Sequence, residues 1–303
     1  RPEGVAALGD HPAIDTVGDD LLEAAESIRR AVIESRPIVV RHAATADGYV
    51  AGAAVERAVL GLVRASHAAE DAEYHYVRRK PLGDDDPYYD MGSATNDVTG
   101  MLQDAARHGE KHPLFVLVGT GGTRESLDGI DLLGTYDAPR VVVDGDRIEE
   151  SVAEAVDVAV ATPEVTASVL GATVAAYVNE DVRDDVAHLP AVSYWEDTPE
   201  AYVDLAADSA YDADDLSTLR EAIALEAYYQ SYSGKRELVE DLFWEADNRA
   251  LAAHVAGQFR SKLEDELDTA NPHVERHEVG DVRVDVLDAA AHTHRFEFPP
   301  TGV

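Results

Sequence analysis

Four short apolar runs constrain what this chain can fold into more than anything else in it. Pro37-Ile38-Val39-Val40, Leu114 to Val118, Arg140 to Val143 and Val156 to Ala161 are apolar but for Arg140 and Asp157 near two of their starts, as strands covered on both faces tend to be. Each ends near a turn rich in small or acidic residues, and segments with helical spacing lie between them, such as Tyr49 to His67. That alternation predicts an α/β fold, a parallel β-sheet flanked by helices. In open parallel sheets ligands sit beyond the carboxyl ends of the strands. The turn Arg41-His42-Ala43-Ala44-Thr45-Ala46-Asp47-Gly48, after the first run, is therefore where chemistry is expected first. It offers one carboxylate, Asp47.

The remaining segments fill in around this frame. Asp19 and Asp20 precede an apolar stripe at Leu21, Leu22, Ala25, Ile28 and Val32, which marks a helix start. Tyr74 and Tyr76 alternate with Glu73, His75 and Val77 as in a strand, and Arg78-Arg79-Lys80 follows directly. This is the densest basic cluster, a candidate phosphate-facing spot with a solvated strand end as the plainer alternative. Thr162 and Pro163 are expected as N-cap and first position of a helix. Gly119-Thr120-Gly121-Gly122 lacks the Lys of a P-loop and reads as a tight turn.

Residues 199–268 are helical in pattern, with Gly234-Lys235-Arg236 beside Tyr232 as a second candidate contact to nucleic acid. Asn271-Pro272 breaks the pattern, and Val282, Val284 and Val286 alternate as a strand. His292 and His294, two residues apart on an expected strand, would share a face. The expected organisation is a lead-in helix over 1–30, the α/β domain over 31–198, a helical extension over 199–271, and the start of a second, truncated α/β domain over 272–303.

Composition narrows the classes. Sixty acids oppose 25 bases, for a formal charge of -35, and only four of the bases are lysines: Lys80, Lys111, Lys235 and Lys262. The acids are spread along the whole chain rather than gathered in one block, so the pattern is that of a surface adapted to molar salt, where screening makes such repulsion tolerable. A halophile's cytosol is the expected location. There is no cysteine, which removes disulfides and thiolate metal sites. No apolar run approaches the roughly 18 residues of a membrane helix. The chain opens at Arg1 without a methionine and reads as a piece of a longer protein.

The order of motifs resembles the DHH phosphoesterase superfamily, in particular its archaeal RecJ-like exonucleases. The stretches that carry the resemblance are Arg41 to Gly48, Gly119 to Thr123, Val141 to Asp146 and Leu189 to Asp197, against turns of H-x-D-x-D-G, D-N-G-S and D-H-H type and a late Asp. The resemblance implies a site for two divalent ions, usually manganese, that activate water and brace an in-line attack on a phosphodiester. It places metal ligands at Asp47, Asp144 and Asp197, with Asp146 and His42 as substitutes. The other ligand positions hold Ala43, Thr45, Gly119 and Gly145. Three carboxylates without a histidine are too few for two metals. The expectation is a RecJ-like protein of DNA replication or repair that has lost nuclease activity, with no cofactor, and acts as a scaffold or strand guide. Its implied partners are replication proteins such as the GINS complex and single-stranded DNA or RNA, with no membrane. Arg78, Arg79, Lys80, Lys235 and Arg236 would contact nucleic acid. The alternative is a live enzyme using manganese or magnesium, either a single-strand 5′-exonuclease or a small-nucleotide phosphoesterase. The glycine-rich motif of the family's substrate-binding domain does not occur before Val303.

Overall fold

The computed structural model describes residues 6–67, 69, 71–83, 87–233, 237–244, 248–280 and 282–293. After helix α1 (Gly18–Ile33) the chain runs through β1 (Ile38–His42), α2 (Ala46–Ser66), β2 (Val77–Pro81) and α3 (Met91–His108). It continues through β3 (Leu114–Val118), α4 (Leu127–Thr135), β4 (Arg140–Asp144), β5 (Val158–Ala161) and α5 (Ala167–Val178). The strands make one all-parallel sheet in the order β2-β1-β3-β4-β5. The expected α/β fold is the observed one.

The continuity of the apolar runs follows from this layering. Ile38, Val40, Val116, Val141 and Val143 face α1, α2 and α5, while Val39, Phe115, Leu117 and Val142 face α3 and α4. With helices on both faces, both sets of alternating side chains are buried. The strand order reverses between β1 and β3, so α2 and α4 leave towards opposite faces. A crevice opens at that point, beyond the carboxyl ends of the strands.

Two local expectations are corrected. Ala72–Tyr76 forms a single helical turn, so the strand is the basic cluster itself, Val77–Pro81, at the sheet edge. Helix α5 begins at Ala167 and not at Pro163. Its cap is Thr166, whose side chain accepts from the Val169 N–H at 3.3 Å, and Thr162 instead closes a turn onto Glu164 N–H at 3.4 Å.

Beyond the sheet lie α6 (Glu200–Asp208), α7 (Ala213–Ser233), α8 (Glu237–Trp244) and α9 (Asn248–Ala270). Leu219, Ile223, Leu242 and Val255 of these helices are buried in the same cluster as the inner faces of α2 and α5. The helical region thus adds a layer to the core. β6 (Glu275–Val279) and β7 (Val282–Val286) form an antiparallel hairpin with every residue exposed. Among the described residues no helix is long and apolar enough to cross a membrane.

Candidate functional site

The turn after β1 is built by Thr45 and Gly48. Thr45 is extended and its hydroxyl accepts from Gly48 N–H at 3.1 Å, capping α2. A Cβ at Gly48 would lie 2.2 Å from the Ala43 carbonyl oxygen, so only glycine fits. Asp47, in the first turn of α2, points across to the start of α5. Its two carboxylate oxygens accept from Ala167 N–H at 3.0 Å and Ser168 N–H at 2.9 Å. The Ser168 hydroxyl donates to the same carboxylate and also approaches the Asp47 carbonyl oxygen at 3.0 Å. Two N–H groups that an α-helix cannot satisfy internally are met by a negative charge at the positive end of the helix dipole. That long-range bond sets where α5 starts.

Asp47 and Asp144 line an open cleft of about 360 Å³, together with Gly145, Glu164, Thr166 and Tyr194. Asp144 ends β4, and its carboxyl is pushed up to about 6, first by burial and then by the charges of Asp146 and Asp47, against an N–H bond from Asp146 at 3.2 Å. Asp146 itself accepts from the Arg147 N–H at 2.7 Å. Asp197 is exposed, with a left-handed φ of 52°, and is not part of this cleft. The structure therefore brings Asp47, Asp144 and Asp146 together and leaves Asp197 outside.

The cleft is blocked at one position where the resemblance would add a ligand and crowded at another. At Gly145 a Cβ would sit 2.6 Å from Ala167 N and 2.8 Å from the Thr166 carbonyl carbon. At Gly119, where φ is +63°, it would lie 3.2 Å from the Ala167 Cβ. The start of α5 fills the space that a side chain at Gly145 would need and crowds one at Gly119. Among the described residues, no three His, Asp or Glu side chains stand where they could hold a metal ion. With both oxygens of Asp47 committed to α5 and no third carboxylate or histidine beside Asp144 in ligating position among the described residues, this donor set does not fit a two-metal centre.

His42 does not turn into the cleft. It lies fully buried on the α2 face of the sheet, with Nδ1 2.8 Å from the Ala43 carbonyl oxygen and Nε2 3.2 Å from Arg79 Nη1. Burial, then the Arg79 charge, hold its pKa well below the usual value, so it is neutral. Gly52 makes room for it, since a Cβ there would touch the ring at 2.7 Å.

Arg79, expected at a contact with nucleic acid, is turned inward. Its side chain is fully buried and pairs with Glu56 at 2.5 Å and Glu240 of α8 at 3.0 Å, tying the edge strand to the helical layer. Its strand neighbours point the other way. Arg78 pairs with Asp104 at 2.8 Å, and Lys80 is exposed. Lys235 and Arg236 lie outside the described residues, as does His294. His292 ends a short helix, Ala289–His292, and stacks on His273 at 3.9 Å.

No family model matches the chain. It is 27% identical over 319 residues to the uncharacterized protein MJ1198 of Methanocaldococcus jannaschii, a match that covers 93% of this chain and 41% of that protein. The chain thus spans about two fifths of the length of this curated relative. The solved DHH domain of a member of the s1p family of ribosomal proteins superposes with a TM-score of 0.89 at 30% identity, covering 99% of this chain and 74% of that one. The chain belongs to the DHH-domain family. A manganese-bound structure of the exonuclease RecJ superposes on this DHH chain with a TM-score of 0.54 at 18% identity, over 84% of this chain and 70% of that one. At that identity the likeness is one of fold.

Sequence reasoning missed the part played by α5. Thr166-Ala167-Ser168 carries the small polar cap signature, and Pro163 drew the helix start four residues too early. Nothing local signals that a carboxylate 120 residues upstream holds the N–H of Ala167.

Proposed function

We propose that this DHH chain is a nucleic-acid-associated, RecJ-like subunit that binds or positions a single strand or a partner protein without two-metal hydrolysis. The observation that carries the reading is Asp47: the acid of the first motif spends both oxygens on the N-terminus of α5. The occupied space at Gly119 and Gly145 supports it further. The association with nucleic acid leans on the named relatives, an s1p ribosomal-protein member and an exonuclease. The surplus of acids over bases supports a high-salt cytosol. Replication proteins such as the GINS complex remain the partner class that the RecJ resemblance brings, to be sought by affinity capture against purified replication proteins.

Asp144 and Asp146, side by side at the cleft, favour one competing reading, a single weakly held divalent ion and a slow phosphoesterase. Manganese calorimetry in molar potassium chloride, on the native chain and on Asp144→Ala, separates the two when run beside cleavage of single-stranded DNA and RNA. Our reading expects neither tight binding nor cleavage. Tight binding that disappears in Asp144→Ala, together with cleavage, would overturn it.

A further inference from the structure

A second cavity, of about 260 Å³, lies on the other side of Asp47 from the acidic cleft, between the start of α2, the loop after Val192 and helix α7. Its walls are apolar where Val50, Val192 and Ile223 line it. Trp195 stands at its rim, 56% exposed although it is one of only two tryptophans in the chain. Arg220 of α7, partly buried, donates from Nε to the Val192 carbonyl at 2.9 Å and from Nη2 to the Ala191 carbonyl at 3.2 Å. Among the described residues its hydrogen bonds go to these two carbonyls, and the charge of the neighbouring Glu221 also acts on it. Its guanidinium lies 5.7 Å from the centre of the Trp195 ring. Phe259 supports that ring at 6.1 Å.

An exposed indole braced from within the fold, a guanidinium fixed by two carbonyls, and an apolar recess beside them form a recognition surface for a planar group that carries a phosphate. We infer that this recess takes one unstacked nucleotide of a single strand, with its base against Trp195 and its phosphate on Arg220. Aromatic platforms bind bases through their π faces with little sequence preference, and a fixed guanidinium offers paired N–H donors to phosphate oxygens. Asp47 lines both cavities, but the acidic cleft adds Asp144 and Glu164, whereas this recess, separated from it by the Thr166 to Ser193 hydroxyl bond of 2.7 Å, sets Arg220 against that one carboxylate and is the side on which a strand can approach. The inference rests on the proposed association with nucleic acid and names its contact.

The test uses fluorescein-labelled oligouridylate and oligodeoxythymidylate of ten nucleotides, titrated by anisotropy in 0.5 and 2 M potassium chloride, with tryptophan fluorescence followed in parallel. Trp195→Ala is expected to weaken binding roughly ten-fold at both salts, in keeping with the loss of one stacked base, while Trp195→Phe keeps most of the affinity. Arg220→Gln is expected to weaken it more at 0.5 M than at 2 M, because a phosphate contact is screened. Circular dichroism of each variant checks that the fold is retained. Inorganic phosphate that displaces the oligonucleotide from the native chain and not from Arg220→Gln would place the anion at Arg220. Binding that is equal in the native chain, Trp195→Ala and Arg220→Gln would overturn the assignment of this recess and leave the association with nucleic acid standing. No binding of either oligonucleotide to the native chain would overturn both.

Discussion

Replacing Asp47 distinguishes a structural carboxylate from a metal ligand by the sign of its effect. In Asp47→Ala the N–H groups of Ala167 and Ser168 and the Ser168 hydroxyl all lose their acceptor. Hydrogen bonds to a charged group contribute about 1.5–3 kcal/mol each, and a negative charge at a partly buried helix N-terminus adds up to ~2 kcal/mol. The cleft is open, so water recovers part of this. Relief of repulsion with Asp144 offsets a little more. The expected net loss is about 3 kcal/mol of unfolding free energy, read by urea denaturation at pH 7.5 in 2 M potassium chloride. Asp47→Asn should fall in between, because an amide oxygen accepts one N–H while its NH₂ faces the other. A metal ligand held among like charges behaves in the opposite way: its removal without metal stabilises the fold. A loss below about 1 kcal/mol for Asp47→Ala, or any gain, would refute the argument that Asp47 anchors α5.

Four further outcomes follow from the same geometry. Gly145→His restores a family histidine in sequence but drives a Cβ to 2.6 Å from Ala167 N, so it should destabilise the protein by more than ~2 kcal/mol and create no manganese site, as urea denaturation and calorimetry would report. Glu56→Ala leaves the fully buried Arg79 guanidinium with Glu240 as its remaining carboxylate and should cost about 3 kcal/mol, whereas the double replacement Glu56→Leu with Arg79→Met should recover part of that loss in the same denaturation assay. Asp144, raised from 3.8 to about 6, favours the folded state fully below about pH 4 and loses that contribution as pH rises through 6. Asp144→Asn should therefore gain roughly 2 kcal/mol over the native chain at pH 7.5 and little at pH 4, which a pH series of urea midpoints would show. His42 acts in the opposite sense. Neutral in the fold, it loses stability for the chain as pH falls below about 6.5.

The inner strands β1, β3 and β4 were legible because burial on both faces leaves no alternation to misread, whereas the edge strand β2 was placed too early. Ile38 to Val40 and Leu114 to Val118 had only to be apolar and short. The turn at Thr45 and Gly48 was legible too, since local capping and a steric demand for glycine are written within four residues. What the sequence could not decide was the destination of each polar side chain. Arg79 sits between two other basic residues and looks like surface, yet strand alternation turns it alone onto Glu56 and Glu240, the second of them 161 residues away. Asp47 reads as a motif carboxylate, and only the approach of α5 makes it a helix anchor. Trp195 and Arg220 meet only when α7 docks on the loop after Val192. Local pattern fixes elements because their energies are local, whereas the charge state and role of a buried polar group depend on what the folded chain packs against it.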